Sequence, residues 1–170
     1  MPIHECPHDF ATLASTVLPA LMAGLRGSMA APIAMSEFRV RGDGPKTIAR
    51  RHGFSGDVSG CYVFMDSGQP VYVGISRHVL ERLAEHIARG DHYTATLAYR
   101  MAADEAPHAK FAADAMKDPA FRAVFDGRRD YLASLQAAVV EIANPLELYL
   151  FEAYAAIELD TCKWNTFATH

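Results

Sequence analysis

The segment "SGCYVFMDSGQPVYVGISRHVLERLAEHI", Ser59 to Ile87, constrains the chain more than any other. Cys61–Met65 and Pro70–Ile75 are rich in the aromatic and β-branched residues that strands favour. Between them Asp66–Gln69 holds an acid, a serine and a glycine, the makings of a short hairpin turn, so the two runs should pair antiparallel. Ser76 stands where a helix cap belongs. Val79, Leu80, Leu83 and Ile87 then supply one apolar side before Gly90 stops the helix. The opposite side carries His78, Arg82, His86 and Arg89, and positions 82, 86 and 89 share a face because they are four and three apart.

The flanking sequence supplies helices and one more strand. Asp9 or Thr12 caps a helix to about Leu25, with Phe10, Leu13, Val17, Leu21 and Leu25 at helical spacing and Pro19 set to kink or divide it. Arg26–Ser59 is punctuated by glycine and proline and is expected to be a loop-rich connector holding a short strand or a turn of helix. An alanine-rich helical stretch covers 91–135, with breaks near Pro107, Pro119 and Gly127. Gln136–Asn144 has the β-branched centre of a third strand, and Asn144 and Pro145 open a final helix to about Leu159 as N-cap and first-turn proline. The expected class is therefore α+β: a small three-stranded antiparallel sheet flanked by helices, with an N-terminal helical extension over 1–58 and a helical insertion at about 91–135.

At 170 residues one domain is expected. Cys6, Cys61 and Cys162 are odd in number, widely spaced and form no CxxC pair, so neither a disulfide framework nor a zinc site is indicated and a reducing cytoplasm is expected. Phe10–Leu25 follows Glu5 and Asp9, not a basic region, and contains Pro19 and Gly24, so neither a signal peptide nor a membrane anchor is expected. A net charge of -4 argues against coating nucleic acid through bulk positive potential. Base is nevertheless gathered locally, at Arg39, Arg41, Lys46, Arg50, Arg51 and His52 and again at Arg77, His78, Arg82, His86, Arg89 and His92. Each run is either a solvated surface or a phosphate-binding face.

The final helix carries a misfit. Three and four positions from Glu152 stand Leu148, Tyr149, Ala155 and Ala156, on a helix that is apolar nearly all round. A carboxylate there needs a partner. An arginine ion pair is the ordinary one, and a divalent metal the alternative.

Gly60 and Tyr62, Tyr72 ten positions after the first tyrosine, Gly74, Arg82, a third strand, a helix with a central glutamate and then Asn165 follow one another in a recognisable order. The chain resembles the GIY-YIG nuclease superfamily over about Gly60–His92 and Gln136–Asn165, its triplets standing as "GCY" and "YVG". The resemblance implies a nuclease domain over 59–165, with 166–170 as a tail, that hydrolyses nucleic-acid phosphodiesters, DNA ahead of RNA, with one Mg²⁺ or Mn²⁺ and no membrane partner. It makes Glu152 the metal ligand and Arg82 the donor fork for the phosphate. Tyr62 becomes the general base, which requires nearby positive charge because a free phenol has a pKa of about 10. Tyr72 would orient water or phosphate, Gly74 would admit close backbone approach, and Asn165 would cap the site or brace its loops. His86 stands where the family has tyrosine or histidine and would accept a proton or bind phosphate. Ile75 replaces a lysine found in several members, so a supplementary cation is either missing or supplied from elsewhere, with Arg77 as the candidate. A nucleic-acid-binding module without catalysis, or a protein-interaction module working through the alanine-rich helices, is the alternative on the same scaffold.

Overall fold

The computed structural model, which describes residues 5–88 and 90–167, places an antiparallel sheet between two hydrophobic cores. Arg89 lies outside the described residues. The strands are β1 (Ile33–Ala34), β2 (Gly60–Asp66), β3 (Gln69–Ser76) and β4 (Gln136–Glu141), in the order β1-β4-β2-β3. Around them pack α1 (Phe10–Ser28), α2 (Pro45–Arg51), α3 (Val79–Ala88), α4 (Thr96–Glu105), α5 (Ala112–Ala115), α6 (Pro119–Ser134) and α7 (Pro145–Glu158). The α+β class holds, with four strands in place of three.

The hairpin turns on Ser67 and Gly68, both left-handed at φ 50° and 82°. Two such residues form the tight loop whose twist matches the strands it joins. Tyr62 lies opposite Gly74 and Phe64 opposite Tyr72, while Tyr62 meets Val139 on its other side. Strand alternation sends Tyr62 and Phe64 into one core with Leu80, Leu83, Phe121 and Phe125. It sends Cys61, Val63 and Met65 into the other with Leu25, Leu148 and Phe151. Covering on both faces explains why "CYVFM" is an unbroken apolar run.

The extension and the insertion complete these cores. Met35, Phe38 and Ile48 from the first, and Leu97, Met101, Phe125 and Leu132 from the second, bury against the Tyr62 face. Leu18, Met22 and Leu25 of α1 bury against the opposite face.

Pro19 and Gly24 do not interrupt α1. The turn Leu13–Val17 widens to π geometry, the Leu18 amide bonding to the Leu13 carbonyl five residues back, which accommodates the proline that follows. Contrary to expectation, α1 is thus long and apolar enough by length and composition to cross a membrane. Gly127 likewise lies within α6; a mid-helix glycine costs about 1 kcal/mol and does not by itself end a helix. The extra strand is only Ile33–Ala34, too short for its alternation to show in sequence.

Candidate functional site

The two triplet glycines are required for different reasons. A Cβ on Gly60 would collide with the carbonyl oxygen of Val140 on β4. A Cβ on Gly74 would collide with Cζ and Oη of Tyr62, whose ring lies across the glycine. Gly74 therefore makes room for a phenol of the core; its expected role of admitting backbone to the site is replaced by this packing.

That phenol belongs to an aromatic cluster. Tyr62, Phe64, Tyr72 and His86 lie with ring centroids 5.1–6.3 Å apart, at tilted, edge-on and stacked angles. Tyr62 Oη and His86 Nε2 share a 2.7 Å hydrogen bond. Both residues are buried, at 1% and 0% exposure, and His86 Nδ1 has no hydrogen-bond partner among the described residues. Burial pushes the Tyr62 phenol well above its ordinary range, against the opposing charge of Arg82. Tyr62 thus does not suit the role of general base: its oxygen meets no solvent and its phenolate is disfavoured.

Burial, with Arg82 adding to it, lowers the pKa of His86 from 6.5 to about 3. Between these values the unfolded chain binds a proton that the folded chain refuses, so stability is complete above pH 6.5 and falls as pH drops toward 3. Acidification from about pH 7.5 to about pH 5 should therefore cost about 2 kcal/mol through this residue. Urea midpoints at the two pH values should show that loss in the parent and not in His86→Leu; an equal loss in both would place it elsewhere.

Arg82 is already engaged. Its Nη1 donates to the Thr94 carbonyl at 2.7 Å and to Glu85 Oε2 at 3.3 Å, and its Nη2 to Thr96 Oγ1 at 3.2 Å. It fastens the start of α4 to α3, so its fork is not free for a phosphate as expected. Asn165 holds a strand and not a loop: Oδ1 accepts from the Val73 amide of β3 at 2.8 Å, and Nδ2 donates to the Val73 carbonyl at 2.7 Å.

Glu152 sits on the other side of the sheet, on α7 among residues of the second core. It lines a cavity of about 550 Å³ with Ser59, Ser76, Arg77, His78 and Tyr149. No hydrogen bond or ion pair joins it to any described residue, and burial raises its pKa. The arginine partner open to it in sequence is therefore not made. Tyr62, Tyr72, Arg82 and His86 do not line this cavity, so the expected residues fall into two groups. Tyr72 links them electrically: half-buried on β3, its pKa is raised by burial and then by the charge of Glu152, while Arg82 and Arg100 act in the opposite direction.

Asp57, His78 and Glu81 bring one ligand atom each within 4.8 Å of one another. The Asp57 oxygens accept the Leu80 and Glu81 amides at 2.8 and 3.1 Å, so this carboxylate caps α3. Sequence assigned the cap to Ser76, whose Oγ instead accepts the His78 amide at 3.0 Å. Asp57 and Arg100 were not legible as site neighbours, because each acts across the fold on residues distant in sequence. No family model, curated protein or solved structure matches the chain.

Proposed function

We propose that the chain hydrolyses phosphodiester bonds of nucleic acid, DNA before RNA, with a divalent cation, Mg²⁺ or Mn²⁺, held at Glu152. The observation that carries this is Glu152 itself: a half-buried carboxylate without a partner among the described residues, facing a cavity roomy enough for a hydrated ion. Hard divalent cations select carboxylate oxygen and retain several waters, so one protein carboxylate suffices for the fit. When bound, the cation supplies positive charge opposite the scissile phosphate and its leaving oxygen.

The protein's own groups take the remaining tasks. Arg77 is exposed on the wall of the same cavity and has no ion pair among the described residues, so it offers a phosphate the donor fork that Arg82 cannot. Tyr72, coupled to the Glu152 charge though outside the lining of the cavity, takes over from Tyr62 as the phenol of the site. Compensating the Glu152 charge removes one cause that holds its pKa up; burial, the largest, remains, with Arg82 and Arg100 acting against it. Tyr62, His86 and Asn165 hold β3 and Tyr72 in place.

Incubation with labelled single- and double-stranded DNA and RNA should give cleavage with Mg²⁺ or Mn²⁺ and none with chelator. Tyr72→Phe should slow it far more than Tyr62→Phe. Cleavage in chelator, or the reverse order of the tyrosines, would refute the assignment. The division of the expected residues across the sheet favours the binding-only module as the second reading, and binding without cleavage under every metal condition would select it.

A further inference from the structure

We infer that a furrow running from the Glu152 cavity across α3 to α2 is the path of a single-stranded nucleic acid, with Lys46, Arg50 and Arg77 holding its phosphates; as a substrate path it rests on the phosphodiesterase proposed above. Three cavities lie end to end. The Glu152 cavity shares His78 with a second, of about 470 Å³, which shares Lys46 and Asp57 with a third, of about 290 Å³. Each is of the order of a small-ligand site, about 300–1,000 Å³.

The three cations of the furrow form no ion pair with any described residue, a state shared outside it by the exposed Arg41, Lys110 and Lys163. Arg26, Arg39, Arg51, Lys117, Arg122, Arg128 and Arg129 all form ion pairs with carboxylates. Lys46, Arg50 and Arg77 are exposed, form no ion pair with any described residue and all line the furrow. Of the acids there, Asp57 is occupied in capping α3, and Glu152 lies at the end where the cation is proposed. Neither Asp57 nor Glu81 forms an ion pair with any described residue, so these two carboxylates stand in the furrow beside its three cations.

Aromatic groups decide between single strand and duplex. Tyr149, 64% exposed, stands on the wall of the first cavity, and Phe54 lines the third. Phe54 packs partly against the core, so Tyr149 is the ring open to stack on an unpaired base, which a duplex does not present.

The test is fluorescence anisotropy of a labelled single-stranded DNA oligonucleotide, measured in chelator so that it remains intact. A Lys46→Glu/Arg50→Glu variant should bind about tenfold more weakly, and its log–log salt slope should fall by about 0.7 for each phosphate that is no longer neutralised. Arg41→Glu removes an exposed cation that lines none of the three cavities and should bind as the parent does. Equal weakening by Arg41→Glu, or tighter binding of a duplex of the same length, would overturn the path. The two proposals fail separately: cleavage that ignores the Lys46/Arg50 substitutions removes the furrow alone, while furrow-dependent binding without cleavage removes the hydrolase alone.

Discussion

A Glu152→Gln variant should lose about a thousandfold in cleavage rate and, with chelator present, unfold at a higher urea concentration than the parent. The two changes have one origin. Glu152 is half-buried and unpartnered among the described residues, and its pKa is raised by burial. A carboxyl of raised pKa is ionised more readily in the unfolded chain, so the folded state loses stability as pH rises through that range. Glutamine removes the charge and hence that loss, but leaves a poor ligand for a hard cation. Mg²⁺ should stabilise the parent and leave the variant unmoved, because only a state that binds the ion gains from it. A structural carboxylate would behave in the opposite way, its loss lowering the urea midpoint without a metal-dependent difference. Retained cleavage in the variant would end the assignment of Glu152.

Gly60→Ala should cost about 3 kcal/mol or more, the largest stability loss expected of any single methyl group on the sheet. Its Cβ would meet the Val140 carbonyl, a backbone group held in the β2–β4 pairing, which cannot move without opening the ladder. Gly74→Ala should cost less, about 2 kcal/mol, since it meets the end of a side chain. The Tyr62 ring can rotate away, at the expense of its hydrogen bond to His86. In a Tyr62→Leu background the penalty of Gly74→Ala should shrink while that of Gly60→Ala persists. Urea unfolding of the six proteins checks this, and equal penalties in both backgrounds would mean that the Gly74 collision lies elsewhere.

These glycines mark what the amino-acid order discloses and what it withholds. The hairpin, the third strand, the final helix and its Asn144 cap were legible because each depends on neighbours a few residues away. The direction of Arg82 was not, since Thr94 and Thr96, which hold it, compete with any phosphate only once α4 has folded back. The burial of Tyr62 and His86 was equally hidden. A phenol and an imidazole have the same letters in a core as in a catalytic cleft, and the extension and insertion that close over them lie far off in sequence. Glu152 was legible as a misfit, and its isolation from every described cation is the part that required coordinates.

The paired bonds from Asn165 to Val73 have a meaning beyond bracing. β3 is one of the two outer strands, and such a margin ordinarily invites another chain to add itself by backbone pairing. Here a side-chain amide imitates a single peptide unit and occupies both groups of Val73. At this position of the rim, one residue from beyond α7 takes the place that a neighbouring strand would fill, so growth of the sheet past Val73 must first displace Asn165.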